Sequence, residues 1–150
     1  MAIELGQIRE FVRRDHGLAV VSVVRADGTP SGSLVNAGVV DHPITGQRLV
    51  GFVIRGDAKK AARLRANPSA SLVWRDGWSW VGVSGPVELI GPDDVPTGFD
   101  AAKVRLLLRD VFTAAGGTHD DWDAYDRAMA SERRLAVLVT PRQLTGNPNI

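Results

Sequence analysis

At 150 residues, with 44% hydrophobic and 23% charged residues, the chain has the make-up of a folded globular protein and the length to bury one core without staples. It has no cysteine, which excludes disulfides, a thiolate nucleophile and Cys-type zinc or iron–sulfur sites. A formal charge of +1 argues against a dedicated nucleic-acid binder, which carries a clear basic excess.

Residues 3–15 place Leu5, Ile8, Phe11 and Val12 on one side of a helix that Gly17 stops. Two strand-like runs follow between Leu18 and Val40, joined by Asp27-Gly28, the strongest hairpin signal in the chain. A third strand is predicted over Arg48–Ile54, after the turn at 42–46. Beyond a short basic helix, 70–74 and 78–89 form a second hairpin around Arg75-Asp76-Gly77. Val104, Leu107, Leu108, Val111 and Phe112 recur at helical spacing over 100–115, which Gly116-Gly117 ends. Thr118 is the expected N-cap of a helix running through Met129. A last strand is expected over 135–140, and an irregular tail with Pro141 and Pro148 after it. Five or six strands with hairpin links and peripheral helices predict a mainly β chain, one domain over 1–150, folded as an antiparallel barrel. The apolar run 18–24 is far too short to span a membrane, and the residues before it are amphipathic and acid-containing, unlike a secretory signal. A cytoplasmic protein is expected.

The segment GFVIRGDAKKAARLRANP, Gly51 to Pro68, carries most of the chemical information. It reads as a strand, a glycine break, a short basic helix and a proline stop, with Arg55, Lys59, Lys60, Arg63 and Arg65 set against one acid, Asp57. At about 100° per residue, Lys59, Lys60 and Arg63 share one arc of the helix while Ala61 and Leu64 face the other way. Cations at a helix N-terminus suit a phosphate or carboxylate. A solvated helix face beside a sheet has the same pattern, and both readings stay open. Gly32, Ser33 and Gly38 keep the preceding strand low, either for a flat ligand to approach its backbone or for tight barrel packing.

Other residues point less far. Trp78 and Trp80 are two apart on one strand and share a face, as pocket wall or as core or interface aromatics; Trp74 is read as packing. His119, Asp120, Asp121, Asp123 and Asp126 have the look of metal ligands but fall in a first helical turn, where acids complement the dipole, so no metal site is assigned. His16, His42 and His119 occupy separate contexts and form no triad. GxGxxG after a strand and the P-loop are both absent, and no catalytic residue is nominated.

Taken in order, GLAVVSV, ADGTP, SGSLVN, a strand ending in IRG, KxxRLRxNP, ASLVW and WVGVSGPVE resemble the pyridoxamine-phosphate-oxidase-like split β-barrel superfamily. More narrowly the chain is similar to its actinobacterial deazaflavin-dependent branch, the F420-using flavin/deazaflavin oxidoreductases of group B. The likeness covers nearly the whole chain, including GGTHDDWDAYD and the closing GNP. It implies a six-stranded FMN-binding-type split barrel, homodimeric, with the cofactor in a groove between subunits. The expected cofactor is coenzyme F420, with FMN as the alternative, and the expected activity is hydride transfer from the reduced cofactor to an unsaturated or conjugated small molecule; the alternatives are an FMN-dependent oxidase or reductase on the same barrel and a non-catalytic cofactor-binding protein. Carried over by position, Lys60 contacts cofactor phosphate, and Lys59 and Arg55 extend that cradle. The backbone of Ser33, Leu34, Val35 and Asn36 lies along the ring system. Arg63 reaches towards the carboxylates of a deazaflavin tail. Asp57, at the mouth of such a site, has to cap the helix or pair with Arg55.

Overall fold

Asp27 closes the first hairpin by accepting from the Thr29 amide at 3.0 Å and the Thr29 hydroxyl at 2.6 Å, while Gly28 takes the left-handed conformation (φ +86°) that a side chain disfavours. The computed structural model describes residues 2–150. Helix α1 (Leu5–Arg14) precedes the hairpin of β1 (Leu18–Val24) and β2 (Pro30–Asp41), and β3 (Arg48–Ile54) returns beside β2. Helix α2 (Lys59–Ala66) leads into a second hairpin, β4 (Ser69–Asp76) and β5 (Ser79–Ile90). Helices α3 (Ala101–Ala114) and α4 (Trp122–Ser131) are followed by β6 (Leu135–Val139) and β7 (Gln143–Asn147).

Six strands close a ring in the order β4-β1-β2-β3-β6-β5, with β5 pairing back onto β4, every pair antiparallel. The fold is therefore the mainly β, six-stranded antiparallel barrel with peripheral helices that the sequence predicts. Val21, Val50, Phe52, Leu72, Val81 and Val137 fill the barrel with essentially no exposure, and Trp74 packs among them, its indole N–H donating to the Ala37 carbonyl at 3.2 Å. A second cluster lies outside the β3–β6–β5 wall, where Val104, Leu107, Leu108 and Val111 of α3 cover Leu49, Ile90, Ala136 and Leu138. Helix α3 comes this close because Gly38 lacks a side chain: a Cβ there would stand 2.1 Å from the Ala114 carbonyl oxygen. No helix among the described residues is long and apolar enough to cross a membrane.

Three local expectations are corrected. Helix α4 starts at Trp122, capped by the Asp121 carboxylate, which accepts from the Ala124 amide at 3.1 Å; Thr118 sits in the loop before it. The tail is not irregular, since Gln143–Asn147 pairs with Trp80–Ser84 as β7. Gly146 permits that approach, because a Cβ would fall 2.5 Å from the Trp80 carbonyl oxygen. Trp78 lies in the β4–β5 turn and is 84% exposed, so it does not share a strand face with half-buried Trp80. Both indoles nonetheless line one open depression with Val73, Arg75 and Ile150.

Candidate ligand site at the split in the barrel

Strand β2 is twelve residues long, but β3 pairs with it only from Ala37 onward. Pro30–Asn36 are paired through β1 alone, so among the described residues their other edge belongs to no strand. Which groups face that edge follows from antiparallel alternation. The Ala37 amide bonds to Gly17 on the β1 side at 2.9 Å, so the backbone groups of Ser31, Ser33 and Val35 also turn towards β1. Those of Gly32, Leu34 and Asn36 point out of the split.

Helix α2 stands beside this opening. Asn67 and Pro68 end it, and Ala61 and Leu64, both fully buried, anchor it to the barrel core. That leaves the arc with Lys60 and Arg63 facing β2. Lys60 Nζ donates to Ser33 Oγ at 2.8 Å and Arg63 Nη1 to Ser31 Oγ at 3.0 Å. Neither cation meets a carboxylate among the described residues. Burial first, and then the neighbouring Arg63 charge, hold the Lys60 ammonium below its ordinary pKa. Two adjacent cations are thus satisfied in geometry but, among the described residues, not in charge.

The other expected residues divide. Lys59 is exposed and forms no hydrogen bond or ion pair among the described residues. Arg55 is engaged elsewhere: its Nε donates to Asp57 at 3.0 Å and its Nη1 lies 3.5 Å from Glu132. Hydrogen bonding from Arg55, followed by its charge, pulls the Asp57 carboxyl below its usual range, so this acid is neutralised by pairing. Val35 packs into the barrel, whereas Leu34 and Asn36 project outward. The Asn36 amide donates to the His16 carbonyl at 2.8 Å.

Beyond Asn36 lies a cavity of about 240 Å³ walled by Val53, Val111, Phe112, Tyr125, Met129 and Arg134. The Tyr125 hydroxyl donates to the Leu108 carbonyl at 3.0 Å, and burial pushes its pKa up to about 12. Arg134 is held by Glu132 at 2.6 Å, so an Asp57–Arg55–Glu132–Arg134 chain of charges links the end of β3 to this cavity. Sequence reasoning missed Ser31, Glu132 and Arg134. A signal for Ser31 existed: Ser31 and Ser33, two apart on a strand, match Lys60 and Arg63, three apart on a helix. None existed for Glu132 and Arg134, which only the fold brings to β3.

Several of the histidine and acid candidates have structural employment. Asp126 is gripped by Arg109, and His119 accepts from the Asp121 amide at 3.0 Å while packing against Phe112, Trp122 and Tyr125. His42 does meet a carboxylate, which the sequence reading did not foresee across 46 residues: its Nε2 lies 2.6 Å from Glu88. Its Nδ1 accepts from the Ile44 and Thr45 amides, so one ring nitrogen holds the β2–β3 turn while the other ties it to β5.

A family model described as pyridoxamine 5′-phosphate oxidase matches residues 5–147. Among solved structures, a conserved hypothetical protein of Mycobacterium tuberculosis superposes with a TM-score of 0.70 at 16% identity, covering 99% of this chain and 86% of that one. A pyridoxamine 5′-phosphate oxidase-related, FMN-binding protein of Nostoc punctiforme gives 0.62 at 14% identity, over 96% and 84% of the two chains. A protein described as an F420 reductase gives 0.57 at 16% identity, over 85% and 88%.

Proposed function

The chain belongs to the pyridoxamine 5′-phosphate oxidase family, and from that premise we propose that it is an oxidoreductase using reduced coenzyme F420 to reduce an unsaturated or conjugated small organic molecule. One observation carries the reading: Lys60 and Arg63 stand side by side over Ser33 and Ser31, with no carboxylate partner among the described residues, at the unpaired edge of β2. Lys60 and Ser33 hold the phosphate, and Arg63 with Ser31 extends the contact to the next anionic group of the tail. Lys59, exposed beside them, adds long-range attraction rather than a fixed contact. The backbone groups of Leu34 and Asn36, turned out of the split, orient the ring, with Val35 between them and Ser33 before them on the strand. Arg55 holds the mouth of the site by neutralising Asp57. When bound, the deazaflavin supplies the hydride, and no side chain is assigned a proton-transfer step.

A likeness to the F420 reductase supports the choice of cofactor, and the FMN-binding relative supports a second reading in which FMN occupies the same cradle with its single phosphate on Lys60 and Arg63. The working unit is proposed to be a homodimer. Leu18, Val20 and Leu34 form an apolar outer face on β1 and β2, with Leu34 66% exposed, and a second copy covering it encloses the cofactor groove.

Titrating the protein with F420, FMN and FAD tests the proposal. F420 is expected to bind most tightly, with an affinity that falls as salt rises. Tighter FMN binding selects the second reading. Tight F420 binding without turnover of any conjugated acceptor makes the protein a cofactor carrier. Sedimentation at micromolar concentration is expected to give a dimer, and a monomer that binds cofactor stoichiometrically would remove the shared groove.

A further inference from the structure

A second concavity, of about 460 Å³, lies between α3, α4 and the loop at 91–95. Its floor is apolar: Val104 and Leu108 from α3, Met129 and Ala130 from α4, Pro92 and Val95 from the loop. Its rim carries Arg105, Arg127 and Arg134 against one acid, Asp126. That acid is already committed, gripped through two nitrogens of Arg109 and approached by Arg105 at 3.7 Å. Arg134 is turned to Glu132. Arg127 forms no ion pair among the described residues.

The loop that makes one wall is held in place. Arg65 bonds both oxygens of Asp94 at 3.1 and 2.7 Å, and Arg133 grips Asp93 in the same two-pronged way. Gly91 and Asp94 exchange backbone bonds at 3.1 Å. A cavity of this size with an apolar floor, a fixed wall and a few polar groups at its edge has the form of a small-molecule site.

We infer that this groove binds an amphipathic organic monoanion, its apolar body of two-ring aromatic or medium-chain size against Leu108 and Met129, and its carboxylate at the rim on Arg127 and Arg105. The apolar floor disfavours a highly charged ligand, and Asp126 beside the rim opposes a second negative charge. The groove shares Met129 and Arg134 with the cavity beyond Asn36, but no residue of β2 and not Lys60 lines it, so it does not depend on the cofactor assignment.

Titration of the full chain with 2-naphthoate, with 2-naphthamide as the neutral counterpart, tests this by calorimetry. Saturable one-to-one binding of the acid is expected, with the amide weaker. Ala130→Trp, which fills the groove from an exposed helix position, is expected to weaken binding at least about tenfold, and Arg127→Ala roughly three- to tenfold. Circular dichroism checks that each variant is folded, and Ala101→Trp fills the groove from the other helix if Ala130→Trp is not. The inference is overturned by absence of saturable binding, by equal affinity for the amide, by unchanged affinity in the folded variants, or by displacement of the probe with F420, which would put it in the barrel split.

Discussion

Cations are held in two different ways on the two sides of this molecule. Around the 91–95 loop and α4, each guanidinium that grips has a carboxylate in its fork: Arg65 on Asp94, Arg133 on Asp93, Arg109 on Asp126. At the split, Lys60 and Arg63 meet, among the described residues, only the hydroxyls of Ser33 and Ser31. A hydroxyl offers a lone pair but no charge, so it fixes a cation's position without neutralising it. The first group fastens loops and helices, and the second keeps its field available. What distinguishes the proposed ligand site is therefore what its cations face, rather than how many there are.

The largest expected effect is on that second group. Lys60→Ala should weaken F420 binding by roughly 1.5–3 kcal/mol, about ten- to a hundredfold, with the melting temperature of the ligand-free protein unchanged or raised. Equilibrium titration and thermal melts of the same preparation check both halves. Asp126→Ala should show the opposite profile: cofactor affinity unmoved, and a melting temperature lower by a few degrees because Arg109 and Arg105 lose their partner. Hydrogen bonding from Arg109 holds the Asp126 carboxyl below its ordinary value of 3.8. Its contribution is thus complete above the usual aspartate range and lost as pH falls through the lowered native value, so the gap between wild type and variant should close in acid. If Asp126→Ala weakened the cofactor as much as Lys60→Ala, the two classes of cation would be one.

Smaller effects sharpen the contrast within α2. Lys59→Ala should change affinity by less than about twofold at physiological salt, an exposed charge acting through screened solvent. Equal effects at Lys59 and Lys60 would reduce the helix face to a diffuse charge. The smallest expected signal is a pH dependence. Because the native Lys60 pKa lies below 10.5, the folded protein sheds this proton before the unfolded chain does. Stability should therefore rise slightly as pH climbs through the lowered value towards 10.5, and Lys60→Met should abolish the rise. Alkaline melts of the two proteins measure it.

The strands were largely legible because their signals are local. Arg48–Ile54 begins and ends where the apolar run does, and Asp27-Gly28 sits at the turn it announces. The two faces of α2 followed from spacing alone, since Ala61 and Leu64 could only turn inward. Strand β7 was hidden because Gln143–Asn147 has no apolar alternation and is recruited by the edge of β5, a tertiary effect. The cap of α4 was misplaced because Thr118 and Asp121 are both good capping residues, and the His119 turn decides between them. At the site, the cations were readable, but the serines beneath them and the Arg55–Glu132–Arg134 chain depend on segments far apart in sequence meeting.

The unpaired stretch of β2 also has a meaning for the life of the protein before it meets a ligand. A bare strand edge is a template on which another polypeptide can add a strand, and exposed Leu34 beside it gives such a contact apolar surface. The positive charge of Lys60 and Arg63 repels a second copy of the same edge, as gatekeeping lysines do on natural sheet margins. An anion seated there cancels that repulsion but fills the opening itself. Under the proposed function, the same few residues serve as receptor when ligand is present and as guard against strand exchange when it is not.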